Sequence, residues 1–125
     1  MSLYKCNKCG MVVSKVIEGV GTLVCCNEEM HEEKITLSNE GKEKHTPILE
    51  KKENGNLLVK VGSIKHPMTD DHYIALIQVL IDGKYVTGKR LYPGDDAELE
   101  ISKEYDLPGL EVLSYCNLHG LWKKD

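Results

Sequence analysis

HYIALIQVLIDGKYVTGKRLY, residues 72–92, is the stretch whose reading decides the fold. Its first ten residues are β-branched or apolar on both alternating faces, and only Gln78 interrupts the run from 74 to 81. That pattern reads as a central strand covered on both sides. Asp82-Gly83 follows, a pair that tolerates the positive φ of a tight hairpin turn, and KYVTGKRLY runs back from it. Working outward, Pro93-Gly94 breaks the returning strand. AELEI (97–101) alternates cleanly, LEVLSY (110–115) less so, and Pro108-Gly109 lies between them. Upstream, Asn54-Gly55 sits between ILEKKE and NLLVKV and predicts a two-residue hairpin. Several short strands joined by Gly and Pro turns predict an all-β antiparallel sandwich of about seven strands. No helix of three turns is expected, and no internal repeat is visible.

The chain has 125 residues, 41% hydrophobic and 29% charged. This suits one modest globular domain or one domain with a small appendage. The net charge is -4 and Arg90 is the sole arginine, so nucleic acid is not an expected partner. The apolar run at 74–81 is too short to span a bilayer, so no membrane is expected. The opening MSLYKCNKCG has no apolar stretch of the secretory kind, and a cytoplasmic location is expected.

Four of the five cysteines lie in residues 1–36, which hold few bulky core residues. So short a segment buries too little apolar surface to fold alone, and a metal would supply the missing stability. Cys6-x-x-Cys9 is a knuckle whose two thiolates wrap one tetrahedral ion, with Gly10 behind it. Its partner is the adjacent pair Cys25-Cys26. Four thiolates suit Zn²⁺ or a single Fe, and spacing alone favours zinc. An unliganded redox dithiol would need a βαβ context that is missing. Adjacent cysteines share one peptide link, so a distorted site is expected. Residues 37–44, LSNEGKEK, read as a linker or exposed loop.

The closing SYCNLHGLWKKD holds Cys116 and His119 at a ligand spacing. His45, His66 and His72 lie, like His119, at strand ends or in loops, where side chains converge at one end of a sandwich. Each alone is more often a surface or core histidine than a ligand. His31, in EEMHEEK, reads as a plain surface residue. If the other four share a site with Cys116, they make five ligands. Zinc is usually four-coordinate, so five ligands point to iron, with one octahedral position left open for a small molecule. The local positive charge would attract a small anion.

The chain resembles desulfoferrodoxin, the two-iron form of superoxide reductase, over essentially its whole length. The resemblance rests on C-N-K-C-G, the later C-C, G-K-E-K-H-T-P, K-H-P-M with a histidine six residues on, and Y-C-N-L-H-G-L-W, in that order. It implies a small desulforedoxin-like, metal-bound domain (residues 1–36), followed by an immunoglobulin-like antiparallel β-sandwich of the superoxide reductase, neelaredoxin-like kind (37–125). It implies a four-thiolate iron centre at Cys6, Cys9, Cys25 and Cys26, a site that also admits zinc. It implies a second iron with His45, His66, His72 and His119 as equatorial imidazoles and Cys116 as axial thiolate. Glu43 and Lys44 match a triplet whose lysine flanks the open position and whose glutamate ligates the oxidised iron. The implied activity is one-electron reduction of superoxide to hydrogen peroxide, with rubredoxin as the usual donor and a homodimer as the usual assembly.

Two rival readings remain open at this level. A blue-copper-like, non-catalytic electron carrier is also a β-sandwich with a C-terminal Cys-x-x-His. It normally adds a methionine shortly after that histidine, where this chain has LWKKD. A zinc-stabilised interaction module would explain the cysteine cluster and leave the histidines without a role.

Overall fold

The segment with few bulky apolar residues folds into correspondingly short strands. The computed structural model describes residues 2–125, and the chain divides into two units, Met1–Lys34 and Ile35–Asp125. In the first, β1 (Leu3–Lys5) pairs antiparallel with β2 (Val12–Ser14) and, on its other edge, with the later strand at residues 31–32. β3 (Val24–Cys25) and β4 (Glu28–Glu29) make a separate small hairpin, and β5 (His31–Glu32) is that later partner of β1. Among the described residues of this unit, the buried apolar side chains are Leu3 and Cys6. Hydrophobic burial scales with area, so two side chains leave most of the ordering entropy of some thirty residues to be offset by something else.

The second unit has the expected seven strands: β6 (Pro47–Lys51), β7 (Leu57–Val61), β8 (Ile74–Ile81), β9 (Lys84–Arg90), β10 (Glu98–Ile101), β11 (Leu110–Cys116) and β12 (Gly120–Lys123). They form a three-stranded sheet, β10-β7-β6, and a four-stranded sheet, β12-β11-β8-β9, with every pairing antiparallel. β8 is central, as its two-faced apolar pattern requires. Leu57, Val59 and Val61 of β7 point inward at every second residue. They share one core with Ile74, Ile77 and Val79 of β8, Val112 of β11, and Leu91, Ile101 and Cys116. Truncating one such side chain, Ile77 for example, costs about 2–5 kcal/mol.

Asp82 and Gly83 have φ of 50° and 79° between the paired ends Ile81 and Lys84, the hairpin turn their sequence predicts. Asn54-Gly55 does not form the expected two-residue turn. Lys52 N donates to Asn56 O (2.8 Å) and Gly55 N to Lys52 O (2.9 Å), which leaves a three-residue loop with Gly55 left-handed at φ 88°. The reason is local: Asn54 Oδ1 accepts the Asn56 N–H (2.9 Å), so its side chain closes a turn of its own. Residues 42–44, expected as loop, belong to a single helical turn, α1 (Lys42–His45). It is held from outside by Ile64 N donating to Glu43 O (3.0 Å) and Gly62 N to Thr46 O (3.0 Å). One turn is too short to be stable alone, and no helical periodicity announces it.

Candidate metal centres

Four strand ends and α1 bring the histidines together at one end of the sandwich. His45 closes α1. His66 lies in the loop after β7 and His72 just before β8. Cys116 ends β11, and His119 occupies the turn into β12. A bulge between Tyr115 and Cys116, where the register opposite β8 jumps from Leu76 to Ile74, re-aims Cys116. The ligand atoms of His45, His66, His72, Cys116 and His119 all lie within 4.8 Å of one another. His31, read as a surface residue, is exposed on β5 of the other unit.

The four imidazoles stand at the corners of a square. Neighbouring centroids are 4.6 Å (His45–His66), 4.6 Å (His66–His72), 4.9 Å (His72–His119) and 5.0 Å (His119–His45), each pair near perpendicular. The His45–His72 diagonal is 6.5 Å. Carbonyls only accept, so His45 Nδ1 donates to Gly41 O (2.7 Å) and His66 Nδ1 to Pro67 O (2.7 Å). Both Nε2 atoms of these neutral rings therefore carry lone pairs, yet they lie 3.0 Å apart. Two facing lone pairs repel, and a cation between them turns the contact into ligation. His72 Nε2 is buried with no hydrogen-bond partner, a cost that the same cation removes. The chain thus fits a metal at the centre of the square. Three rings offer Nε2; His119 turns Nδ1 inward, 3.2 Å from His45 Nε2 and 3.8 Å from Cys116 Sγ.

Burial pushes His66 down to about 4 and lowers His45 and His72 as well. The neighbouring imidazoles add to the effect. At neutral pH these three rings are uncharged and their lone pairs are available. Cys116 is fully buried in the core. A cavity of about 540 Å³ opens beside the square, and its wall includes His45, His72 and His119 with Glu43, Lys44 and Trp122. Glu43 and Lys44 are exposed there. The Lys44 charge contributes to lowering His72, whereas the Glu43 charge works to raise His45. The two side chains therefore act on opposite corners of the square.

The second cluster gathers Cys6, Cys9, Cys25 and Cys26. Cys9 N donates to Cys6 Sγ (3.5 Å) and Gly10 N to Cys6 O (2.9 Å). Gly10 sits at φ 81°, a conformation that favours glycine. The Cys9 N–H, before any other cause, lowers the Cys6 thiol to about 6, whereas sharing of hydrogen bonds with Cys9 and then Cys6 raises Cys25 to about 12. The distortion expected from adjacent cysteines is absent along their shared edge. Cys25 and Cys26 sulfurs are 3.9 Å apart, and Cys9 and Cys25 sulfurs 3.6 Å. A regular tetrahedron with metal–sulfur bonds of about 2.3 Å has edges of about 3.8 Å. Cys26 and Asn27 take positive φ (53° and 63°) as the two-residue turn between β3 and β4, and this left-handed turn opens the pair. The set of four imidazoles with one thiolate and the set of four thiolates together suit two irons.

Several supporting residues escape a search for ligands. Ser114 Oγ donates to His45 O (2.5 Å). Asn117 Oδ1 accepts Tyr73 N–H (2.9 Å), and its Nδ2 donates to Asp71 O (3.0 Å), tying the loop of His72 to the turn of Cys116 and His119. Trp122 stacks on His45 with centroids 4.7 Å apart and 14° between planes. In the sequence it is the one tryptophan, three residues after His119, and it closes the Y-C-N-L-H-G-L-W stretch.

Residues 37–125 match the family model described as desulfoferrodoxin, and residues 1–32 the model of the desulfoferrodoxin N-terminal domain. A desulfoferrodoxin homolog of Archaeoglobus fulgidus is 44% identical over 123 residues, covering 98% of this chain and 95% of the relative. A desulfoferrodoxin of Nitratidesulfovibrio vulgaris is 44% identical over 124 residues, covering 98% and 94%. The crystal structure of the superoxide reductase from Treponema pallidum superposes with a TM-score of 0.72 at 27% identity, covering 99% of this chain and 96% of that one.

Proposed function

This chain belongs to the desulfoferrodoxin family, and from that premise we propose that it is a superoxide reductase. Superoxide enters the cavity over the imidazole square, takes up one electron and two protons, and leaves as hydrogen peroxide. The observation that carries this reading is how the square is enclosed: Cys116 is buried in the core, and a cavity bearing Lys44 opens beside three of the four rings. When bound by His45, His66, His72, His119 and Cys116, iron supplies the single electron, and an external donor of the rubredoxin kind restores it.

The chain's own residues do the rest. Lys44 presents a positive charge at the cavity mouth, where it draws in a small anion. Glu43, beside it, is an exposed carboxylate on the same cavity wall that would ligate the iron in its oxidised state. The carbonyls of Gly41 and Pro67 hold the tautomers of His45 and His66, so each ring offers its lone pair inward without reorganising. Cys6, Cys9, Cys25 and Cys26 would hold the other iron, as an electron relay or as a clamp on residues 1–36, while residues 37–125 form the reducing domain. The protein works in the cytoplasm as a homodimer.

The test is anaerobic mixing of the iron-loaded, reduced protein with a pulse of superoxide. Peroxide is expected in proportion to the superoxide consumed, with no dioxygen formed. Dioxygen and peroxide in equal amounts would instead mean dismutation and would overturn the assignment.

A further inference from the structure

Of the six aromatic contacts within the cluster of rings, one differs in kind. The histidines meet one another edge to face or tilted, whereas Trp122 lies flat against His45. Trp122 is 4% exposed and sits on β12 directly opposite Ser114 of β11. That cross-strand pair grips His45 twice: Ser114 through its carbonyl, Trp122 through its ring. The indole Nε1–H also donates to His119 O (3.0 Å), closing the turn that carries a second ligand. One side chain thus ties a histidine from α1 to a histidine on the β11–β12 hairpin.

We propose that Trp122 is a positioning and tuning residue of the histidine centre. The inference rests on the reading of that centre as a redox-active metal site. The lone pair of an imidazole lies in the ring plane, so a partner stacked on the face leaves it free to ligate. Rotation of His45 out of the square would break the stack, and the indole therefore holds the ring in its ligating orientation. The stack also has an electronic consequence. A metal-bound imidazole carries partial positive charge, more of it when the metal is oxidised. The negative face of an indole attracts such charge. Trp122 therefore stabilises the oxidised state more than the reduced one and lowers the reduction potential of the histidine centre.

The chain has a single tryptophan, so biosynthetic replacement by a ring-fluorinated tryptophan changes position 122 alone. Fluorine withdraws density from the indole face while keeping its shape and its N–H. The fluorinated protein, loaded with iron, is expected to show a raised reduction potential at the histidine centre and an unchanged one at the four-cysteine centre. Trp122→Leu, which removes the face and the hydrogen bond, is expected to raise the potential further. It should also weaken Co²⁺ binding at the histidine centre by roughly 10–100-fold, as loss of an orienting partner does. Trp122→Phe, which keeps an aromatic face, should fall between. A fluorinated protein with the wild-type potential overturns the tuning role, and a Trp122→Leu protein with wild-type Co²⁺ affinity overturns the positioning role. Neither readout uses superoxide, so the outcome is independent of whether the reaction proposed above is correct.

Discussion

The two units solve the same problem with opposite means. The sandwich has a continuous apolar core drawn from β7, β8, β10 and β11, and its metal ligands hang from strand ends that this core already fixes. The N-terminal unit buries Leu3 and Cys6 among its described residues and leaves Val16, Ile17, Val20 and Val24 exposed. Its cysteines are therefore part of what folds it. In one unit the fold makes the site; in the other the site makes the fold. A small domain lacks the buried area to do otherwise, whereas the sandwich does not.

The largest expected effect comes from removing metal. Stripping both ions under reducing conditions should unfold the N-terminal unit, because a structural thiolate site contributes on the order of 10 kcal/mol. The sandwich should remain folded. Hydrogen exchange is the measurement: protection should be lost in β1 and β2 and kept in β7 and β8. Equal survival of both would remove the contrast between the units.

Ligand substitutions divide the two centres next. His119→Ala should cost about one iron per chain, and His31→Ala none, measured by metal analysis of protein purified in parallel. Cys25→Ser should abolish the absorption of the four-cysteine centre and leave superoxide reduction largely in place. Loss of reduction with the histidine iron still bound would show that the centres do not work independently.

Acid sharpens the comparison within the sandwich. His66 is lowered from 6.5 to about 4 in the folded chain. The unfolded chain therefore takes up its proton first, and stability falls as pH drops from about 6.5 towards 4. Thermal melts of the metal-free protein should show a lower midpoint at pH 5 than at pH 7. The drop should be smaller in His66→Gln, and an identical drop in the two proteins would remove His66 as its source.

The smallest effect is that of a single exposed charge. Lys44→Ile should slow the second-order reaction with superoxide by roughly a few-fold and flatten its salt dependence together, since both come from one field. Iron content should not change. A wild-type rate and salt slope, followed by pulse radiolysis at several salt concentrations, would leave Lys44 an ordinary solvated lysine.

Features set by neighbours along the chain are legible in the amino-acid order itself. The two-faced run of β8, the Asp82-Gly83 turn, the sandwich of seven strands and the Cys6-x-x-Cys9 knuckle each follow from residues a few positions apart. Resemblance to a known family adds the grouping of the four histidines with Cys116, which spacing alone leaves open. Features set by individual side-chain bonds, by backbone conformation or by distant partners are not legible in that way. Asn54-Gly55 carries a correct hairpin signal, but the side-chain bond from Asn54 to Asn56 chooses a longer loop. The turn α1 has no helical signature, because bonds from Gly62 and Ile64 hold it. The opening of the Cys25-Cys26 pair depends on a left-handed turn that the dipeptide does not advertise. The choice of Nδ1 by His119 and Nε2 by the other rings, and the stacking of Trp122 on His45, exist only once β12 lies beside β11 and α1 packs near both. Sequence thus determined the ligand types and the strands that carry them. Tertiary structure decided which atom of each ligand faces the centre and which side of it stays open, because orientation is a property of the packed surroundings rather than of the residue.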